Sequence, residues 1–259
     1  MIMGVYNGCQ YLKKSIESII NQTYKDWEFI ICDDCSEDNT IEIISEYLKK
    51  DDRIKLIKND RNLGLAATLN RCLNYVNGDY IARQDADDIS MPNRLEEETH
   101  FLNKNKEYSL VGSSVYLIDE NDNIYGYNNL KREPTKFDLI KGPTFVHPTI
   151  MVRRELFAKL YGYANWALRV EDYELWMRMY AAGYKGYNIE TPLLKYRVSK
   201  NDYSKRRFKY RLIETKVRYI GYKNLDLPLW SYLYTLKPIV AGIIPKKIMY
   251  QYHKKKFRI

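Results

Sequence analysis

Residues 27–50, WEFIICDDCSEDNTIEIISEYLKK, decide the fold of this chain. Trp27–Cys32 is a short apolar run that ends in two aspartates, which is typical of a buried strand whose end meets solvent. Asp38–Lys50 follows with apolar residues at helical spacing. The pattern therefore predicts a strand, a turn and a helix, which is the repeating unit of a parallel sheet.

The same alternation continues on both sides of this unit. The predicted strands are Ile2–Tyr6, Ile54–Ile57 and the run from Tyr80–Ala82 towards Asp85, and the predicted helices are Tyr11–Asn21 and Leu65–Val76. We therefore predict an α/β fold with a mostly parallel, Rossmann-like central sheet flanked by helices. Ligands of such sheets bind beyond the carboxyl ends of the strands. The acidic residues at those predicted ends are Asp33, Asp34, Asp85, Asp87 and Asp88.

The pattern changes after Pro92. The later predicted strands are Ser109–Ile118, Thr149–Val152 and Ile189–Val198, and Glu171–Ala181 is a predicted helix. From Tyr203 onwards the chain is predicted to be helical, and it is rich in basic and aromatic residues. We expect one main domain over residues 1–202 and a helical extension over residues 203–259.

The composition is ordinary for a soluble globular protein, with 45% hydrophobic and 29% charged residues. No uncharged stretch approaches the ~20 residues of a membrane-spanning helix. The chain opens almost directly on a predicted strand, so no signal peptide is expected. The four cysteines, Cys9, Cys32, Cys35 and Cys72, lack paired metal-ligand spacing, and a disulfide framework is not expected. These features predict a cytoplasmic protein.

The positive charge is concentrated at the C-terminal end. The net charge is +9, but residues 200–259 hold 16 Lys/Arg against three Asp/Glu, so the preceding part is mildly acidic. The basic clusters are Lys205–Arg207, Lys246–Lys247 and Lys254–Lys256. Such a tail indicates a partner of its own, and anionic lipid and nucleic acid are the two candidates.

Three carboxylates stand within four residues at Asp85-Ala86-Asp87-Asp88. They repel one another unless a cation or hydrogen-bond donors compensate. A hard cation such as Mn²⁺ or Mg²⁺ binds carboxylates together with substrate phosphates. The alternative is a solvated acidic turn ahead of the helix that follows Pro92, because Asp is common in turns.

Five segments in order along the chain resemble motifs of the family 2 glycosyltransferases. They are IMGVYNG (2–8), IICDDCSEDNT (30–40), NLGLAATLN (62–70), YIARQDADDISMPNRL (80–95) and VEDYELWMRM (170–179). The resemblance covers roughly residues 1–200, and five segments in order are far more specific than any one of them. It implies a GT-A fold, with the catalytic domain over residues 1–202 and the basic helical extension outside the diagnostic part.

The resemblance also implies a nucleotide site at the strand ends. Tyr6 would lie at the base, and Asp34, with Asp33 as the second choice, would accept a hydrogen bond from a uracil imide. Asn62 and Gly64 would line the pocket. Each role has an alternative: Tyr6 packing in the core, the aspartates capping a turn, and Gly64 serving only a turn conformation.

The Asp-x-Asp motif and an acidic pair further along complete the implied machinery. Asp85 would lie near the ribose and Asp87 would hold the metal, with Asp88 as a possible further ligand. Glu171-Asp172 resembles the family's acidic pair, in which the aspartate is the general base. The alternative for Asp172 is a charge at a helix N-terminus that the macrodipole favours.

Three further residues stand near these motifs. His147, in His147-Pro148-Thr149, resembles a family segment near the donor and acceptor, although a lone His is usually structural. Arg83 and Arg94 flank the acidic motif and are expected either to orient its carboxylates or to pair with phosphate. The alternative for Arg94 is a solvated position on a helix.

The chain departs from the family pattern in three places. Ser199 follows Tyr196-Arg197-Val198 where many members have His, which leaves that metal or diphosphate ligand in doubt. Members often begin several residues earlier, so the first strand is expected to lack an edge. The Gln-x-x-Arg-Trp signature of processive synthases is absent, which favours addition of a single sugar.

These observations together predict an inverting, metal-dependent glycosyltransferase. It would move one sugar from a nucleoside diphosphate sugar, with UDP-sugar expected, to a saccharide or lipid-linked acceptor for surface polysaccharide. The expected location is the inner face of the cell membrane, with the basic tail on anionic lipid and no nucleic acid partner. A dinucleotide oxidoreductase is disfavoured because no Gly-x-Gly-x-x-Gly follows the first strand. A nucleic-acid-binding protein and an inactive nucleotide-binding homologue are the remaining alternatives.

Overall fold

The structure is a computed structural model, and it describes residues 1–198 and 208–243. Three predictions fall outside these residues. They are the effect of Ser199, the division of the chain between residues 202 and 203, and the basic clusters at 205–207, 246–247 and 254–256. All three stay predictions.

The N-terminal part is a parallel sheet with helices between its strands, as the sequence predicts. The strands are β1 (Ile2–Val5), β2 (Phe29–Asp33) and β3 (Ile54–Lys58), and they pair in parallel in the order β1-β2-β3. The helices are α1 (Cys9–Ile20), α2 (Thr40–Leu48) and α3 (Leu65–Leu73). All five residues of β2 are buried, because helices cover the central strand on both faces. This arrangement brings the ends of β1 and β2 to one edge.

A second sheet continues from the first and has mixed strand directions. Its strands are β4 (Tyr80–Ala82), β5 (Ile89–Ser90), β6 (Leu110–Ile118), β7 (Ile124–Asn128), β8 (Met151–Arg153) and β9 (Gly186–Arg197). Their order is β4-β8-β6-β9-β5, with β7 beside β6. Ile2 joins the two sheets, because its carbonyl accepts the Gln84 amide at 3.0 Å in a parallel bridge to Arg83. The parallel part of the prediction therefore holds for the N-terminal strands, and most pairs of the second sheet are antiparallel.

Three helices complete the main body. They are α4 (Arg94–Lys104), α5 (Arg154–Lys159) and α6 (Glu171–Ala181). The predicted bounds of α6 are confirmed. Trp176 on α6 is fully buried and meets Phe145 edge-on, with 5.5 Å between the ring centroids. The helix that carries the predicted base is thus fixed in the main hydrophobic core.

The described part of the C-terminal extension is helical, as predicted, and it packs on α6. It comprises α7 (Phe208–Asn224), a 3₁₀ helix (Leu229–Leu236) and α8 (Lys237–Ile243). A Cβ on Gly221 would lie 1.8 Å from the Met177 sulfur and 2.9 Å from its Cγ, so a larger residue would force the Met177 side chain to move where α7 packs on α6. Arg218 is buried and donates to the Ile140 carbonyl at 3.1 Å. The extension therefore completes the core of the main domain.

Among the described residues, no helix is long and apolar enough to cross a membrane.

Candidate active site

The acidic motif forms a tight cluster at the end of β4. One carboxylate oxygen from each of Asp85, Asp87 and Asp88 lies within 4.8 Å of the others. Arg83 is buried and makes a two-pronged ion pair with Asp85, in which its Nη1 donates to Oδ2 at 2.6 Å. One of the two predicted roles of Arg83, orienting a carboxylate of this motif, agrees with this geometry.

Asp88 is buried at the back of the cluster. Its Oδ1 accepts the Arg197 amide at 2.8 Å, while its Oδ2 has no hydrogen-bond partner. Burial, followed by the neighbouring charges of Asp87 and Asp85, raises the pKa of Asp88 well above its usual range. A buried carboxylate oxygen without a partner is costly, and a cation beside it would remove both that cost and the repulsion. The three side chains therefore suit a hard divalent cation such as Mn²⁺ or Mg²⁺.

A buried polar network supports the loop that carries this cluster. The Asp85 carbonyl accepts the Ser15 hydroxyl from α1 at 2.7 Å, and the Gln84 side chain donates to Ser15 at 3.0 Å. Arg94 is fully buried and donates to the Arg83 carbonyl at 2.9 Å, to Gln84 at 3.0 Å and to Glu98 at 2.9 Å. Arg94 is therefore neither solvated nor open to a phosphate, and its role here is to fix the base of the loop.

Arg197, at the end of β9, holds the other side of the same loop. Its backbone amide donates the hydrogen bond to Asp88 described above, and its side-chain Nε donates to the Asp87 carbonyl at 2.8 Å. Its Nη1 donates to the Asp119 carbonyl at 2.6 Å, its Nη2 pairs with Asp122, and its guanidinium carbon lies 4.0 Å from the Tyr11 ring centroid. Sequence reasoning missed this role. The sequence signal for it is Arg197 itself, which precedes Ser199 in Tyr196-Arg197-Val198-Ser199.

The two aspartates after β2 differ in what they bind. Asp34 accepts from the Asn59 side chain at 2.7 Å and from the amides of Leu63 and Gly64, both at 2.8 Å. Its carboxylate therefore holds the turn before α3. Asp33 accepts the Ser36 amide at 3.1 Å through Oδ2, while its buried Oδ1 has no partner.

The other predicted nucleotide residues lie around the same edge. Tyr6 follows β1 and is 48% exposed, so it is not packed in the core. Asn62 is exposed in the turn that Asp34 holds. Gly64 has φ +85° at the start of α3, which favours glycine whatever else the residue contacts. The structure therefore brings these residues to one edge, and their contacts with a nucleotide stay a prediction.

Glu171 and Asp172 begin α6. Burial, followed by the charge of Asp172, raises the pKa of Glu171 to about 7. Burial raises the pKa of Asp172 to about 6, against the lowering effects of the Tyr173 amide and the Arg83 charge. The Asp172 side chain nevertheless keeps partial access to solvent. A partly accessible carboxylate with a pKa near 6 is ionised at neutral pH and still basic enough to take a proton.

His147 is buried between aromatic rings. Its Nε2 lies 2.9 Å from the Tyr163 hydroxyl, and its ring meets Trp176 edge-on at 6.0 Å between centroids. Burial, and then the charge of Arg83, lowers the pKa of His147 well below its usual value. His147 is therefore neutral, and its buried contacts agree with the structural alternative.

The charge of Arg83 acts both on the acidic cluster and on the carboxylates of α6. Its charge lowers the pKa values of Asp88, Glu171, Asp172 and Tyr163. The buried guanidinium of Arg83 thus influences the pKa values of carboxylates in both groups. This arrangement offers an anionic cluster for a metal and a separate carboxylate for a proton.

The sequence profile described as "Glycosyl transferase family 2" matches residues 1–161, which is more than half of the chain. The chain belongs to glycosyltransferase family 2. The predicted family and the predicted enzyme class are confirmed by this match, and the protein is a glycosyltransferase.

Relatives of this family 2 glycosyltransferase cover nearly all of it. EpsE of Bacillus subtilis (strain 168), whose name describes a glycosyltransferase, is 42% identical over 99% of this chain and 93% of its own length. WfgD of Escherichia coli is 32% identical over 98% of this chain and 97% of its own. Its name describes a UDP-Glc:α-D-GlcNAc-diphosphoundecaprenol β-1,3-glucosyltransferase. Polysaccharide and O-antigen biosynthesis is thus the setting of named relatives.

Solved structures support the GT-A fold. Residues 1–349 of S. aureus TarS in complex with UDP match with a TM-score of 0.70 at 18% identity, covering 93% of this chain and 69% of that one. The mannosyltransferase PcManGT from Pyrobaculum calidifontis, in complex with GDP-Man and Mn²⁺, matches with a TM-score of 0.60 at 15% identity. That match covers 97% of this family 2 glycosyltransferase and 78% of the other chain. At these identities the likeness shows the fold alone.

Proposed function

We propose that this glycosyltransferase is metal-dependent and inverting, and that it adds one sugar from a UDP-sugar to a hydroxyl of a lipid-linked saccharide. The observation that carries the proposal is the cluster of Asp85, Asp87 and Asp88, in which a buried oxygen of Asp88 lacks a partner. A UDP donor and a glycosyl diphosphate lipid acceptor are supported by the name of WfgD, which matches along nearly the whole chain.

The metal would be held by this cluster. Asp87 is the exposed member and would be the principal ligand, with Asp88 behind it and Asp85 kept in place by Arg83. When bound, the cation acts as a Lewis acid that stabilises the negative charge on the departing diphosphate. The hydrogen bonds of Arg94 and Arg197 would keep the carboxylates in position before a metal binds. No reorganisation would then be needed during the reaction.

Asp172 would take the proton from the acceptor hydroxyl. A single carboxylate base that activates the attacking hydroxyl implies direct displacement, and direct displacement inverts the anomeric configuration. Its pKa of about 6 is raised by burial, so it is ionised at pH 7 and stays a better base than an ordinary aspartate. Glu171 beside it has a pKa of about 7 and is only partly ionised there.

For the nucleotide base, the hydrogen bonds favour Asp33 over Asp34. Both oxygens of Asp34 are already bonded to the turn before α3, so breaking them would release that turn. The free Oδ1 of Asp33 would regain a hydrogen bond from a uracil imide. Tyr6 is exposed beside this edge and would stack on the base.

The C-terminal segment would bring the enzyme to the inner face of the cell membrane. Several side chains of residues 229–243 are large, apolar and exposed, among them Leu229 at 88%, Leu233 at 74% and Ile243 at 76%. Exposed apolar residues next to basic ones suit the surface of an anionic bilayer. An acceptor carried on a lipid would be delivered at that surface.

The test is release of nucleoside diphosphate from a panel of sugar nucleotides, each with Mn²⁺, with Mg²⁺ and with excess EDTA. We expect metal-dependent release from one UDP-sugar, and faster release with a glycosyl diphosphate lipid. Release that is equally fast in EDTA contradicts the metal mechanism. Tight UDP binding without release from any donor would identify an inactive homologue.

A further inference from the structure

A short loop ahead of the predicted base exposes two large apolar side chains. In the loop Ala164–Val170, Trp166 is 41% exposed and Leu168 is 38% exposed, while Ala167 between them is fully buried. Trp166 keeps a large part of its aromatic surface open to solvent, and such surface is typical of ligand contacts. The proposed metal and nucleotide sites leave this loop unused.

Hydrogen bonds anchor the backbone on both sides of the exposed Trp166 and Leu168. The Asn70 side chain of α3 donates to the Tyr163 carbonyl at 2.8 Å and to the Asn165 side chain at 3.0 Å. It also accepts the Tyr163 amide at 2.8 Å. The Val170 amide then bonds the Ala167 carbonyl at 3.0 Å. A platform that is ordered beforehand loses little conformational entropy when a ligand binds.

The position of the loop links the nucleotide side to the base. Leu168 Cδ2 lies 4.0 Å from the point that a Cβ of Gly64 would occupy, so this side chain borders the turn of the nucleotide site. The chain then leads from Leu168 through Val170 directly into Glu171 and Asp172. An acceptor hydroxyl placed at Asp172 would belong to a molecule that lies against this loop.

A basic residue from α7 stands next to the exposed tryptophan. Lys216 Nζ lies over the Trp166 ring at 5.0 Å from its centroid. Lys216 is exposed, and no carboxylate pairs with it within residues 1–198 and 208–243. The pair therefore combines an aromatic face with an available positive charge, at the point where α7 meets the loop.

We propose that Trp166 and Lys216 form the binding platform for the acceptor, a glycosyl diphosphate lipid whose pyranose ring contacts Trp166 and whose diphosphate pairs with Lys216. This inference rests on the proposed function and names the acceptor side of the same site. The C–H face of a pyranose is slightly positive and matches the negative face of an indole ring. The diphosphate attached to that sugar would then lie within reach of the Lys216 ammonium, whose positive charge pairs with the negative phosphates.

The experiment measures equilibrium binding of three synthetic probes in the presence of UDP and Mn²⁺. The first probe is α-GlcNAc diphosphate on an undecyl chain, the second is the undecyl glycoside without diphosphate, and the third is undecyl diphosphate without sugar. The variants are Trp166→Ala, Trp166→Phe and Lys216→Ala. Matched controls are Tyr161→Ala, an aromatic residue 93% exposed near the same loop, and Lys223→Ala, an exposed lysine two turns along α7.

We expect Trp166→Ala to bind both sugar-bearing probes roughly five- to tenfold more weakly, with little effect on the sugar-free probe. Lys216→Ala should weaken the two diphosphate-bearing probes about fivefold and spare the glycoside. Trp166→Phe should retain most of the affinity, and both controls should match the wild type. Equal affinity of Trp166→Ala and wild type for the sugar-bearing probes overturns the platform, including the case in which neither binds.

UDP affinity measured in the same samples separates this inference from the proposed function. If every variant binds UDP and Mn²⁺ like the wild type, any change in probe binding belongs to the acceptor side. If the wild type itself fails to bind UDP with Mn²⁺, the proposed function fails. If UDP binding stands and the probes ignore both substitutions, the platform alone is wrong.

Discussion

The donor side and the acceptor side of this site are built by opposite means. On the donor side, the guanidinium groups of Arg94 and Arg197 hold the loop of Asp85–Asp88 through hydrogen bonds to the Arg83 and Asp87 carbonyls, and the Arg197 backbone amide donates to the Asp88 carboxylate. On the acceptor side, α6 and α7 meet through apolar contacts such as that of Gly221 with Met177. A site that must hold a cation and a diphosphate benefits from fixed charges, because they need no reorganisation.

On the acceptor side, burial is the largest influence on the two carboxylates at the start of α6, and Asp172 accepts the Tyr173 amide at 2.7 Å. Burial keeps the pKa of Asp172 near 6 and that of Glu171 near 7, and a full set of donors would lower both values. The same residue type therefore serves two purposes in this site. Carboxylates crowded together attract a metal, whereas a carboxylate in an apolar setting accepts a proton.

The largest effect is expected from the donor side, at Asp87. Asp87→Asn removes the exposed charge of the cluster, and we expect transfer to fall by at least about 10³-fold because the diphosphate loses its charge stabilisation. The measurement is NDP release with saturating donor and Mn²⁺. The melting temperature should stay close to that of the wild type, since Asp87 is exposed. Wild-type rates for this variant in excess EDTA would remove the metal from the mechanism.

The acceptor side is tested next, at Asp172. Asp172→Asn should retain UDP and Mn²⁺ binding and lose turnover by roughly 10²–10⁴-fold, the usual contribution of a general base. Glu171→Gln is the matched control and should remain far more active. If nucleotide affinity collapses while transfer within the bound complex stays normal, Asp172 belongs to the donor side and its assignment as the base on the acceptor side is wrong.

The pH profile tests the same carboxylate. The base must be ionised to accept a proton, so the rate should fall as pH drops through about 6 and level off above it. The groups whose charges act on Asp172 are Arg83, which lowers its pKa, and Glu214, which raises it, and Glu171 ionises next to it. Asp172→Asn should lose this acid limb. A limb near 4 in the wild type would contradict the effect of burial.

Arg197 tests how the donor side holds its metal-binding loop in place. Its guanidinium donates to the Asp87 carbonyl, while its backbone amide, which a substitution keeps, donates to Asp88. Arg197 does not belong to the metal cluster, so its side chain acts as a positioning group. Replacing Arg197 with Met should weaken Mn²⁺ affinity about 10- to 100-fold, as expected for groups that orient metal ligands. The rate at saturating metal should recover in large part. Asp122→Asn, which removes the negative charge that pairs with Arg197, should show the same split with a smaller effect.

Asp33 and Asp34 provide a matched pair within the nucleotide site. Asp33→Asn should weaken UDP binding about tenfold and leave stability nearly unchanged, because its buried Oδ1 has no partner in the protein and is the oxygen proposed to accept from the base. Asp34→Asn should lower the melting temperature, because it loses acceptors for the turn at Leu63 and Gly64. Calorimetry with UDP and thermal unfolding of both variants make the measurement. The reverse pattern would restore Asp34 as the base contact.

The sequence predicts what is local and misses what depends on distant partners. The bounds of α6 follow from helical spacing and hold, and β2 is placed within two residues of its observed limits. The two-residue strand β5 has no pattern of its own, because it exists only by pairing with residues 194 and 195.

The candidate site follows the same rule. The acidic cluster is contiguous in sequence and was predicted, whereas the full burial of Arg94 could not be, because arginine is usually exposed. The difference between Asp33 and Asp34 depends on donors about thirty residues away. The support of the metal loop by Arg197 depends on a contact over more than a hundred residues. Motifs therefore identify the reacting groups, and only the fold reveals what positions them.

The smallest expected effect concerns binding of residues 229–243 to a membrane surface. Truncation near residue 202 is a poor test, because α7 buries Val217 and Tyr222 in the core, Leu225 just after it is buried there as well, and their loss would destabilise the whole domain. Substitution of exposed residues avoids this. Leu229→Ser and Leu233→Ser should each reduce binding to anionic vesicles about fivefold, since each removes an apolar side chain from the contact.

The matched control is Ile124→Ser, an exposed apolar residue on β7 in the main domain, which should float like the wild type. Flotation with vesicles of anionic and of zwitterionic lipid, at low and high salt, separates the two contributions. The basic residues give the dependence on salt and on anionic lipid, and the leucines give the remainder. If the wild type does not float, or if the double leucine variant floats equally well, the acceptor side does not bind the bilayer through this segment. The contrast between a charged donor side and an apolar acceptor side would then apply to the catalytic site alone and not to residues 229–243.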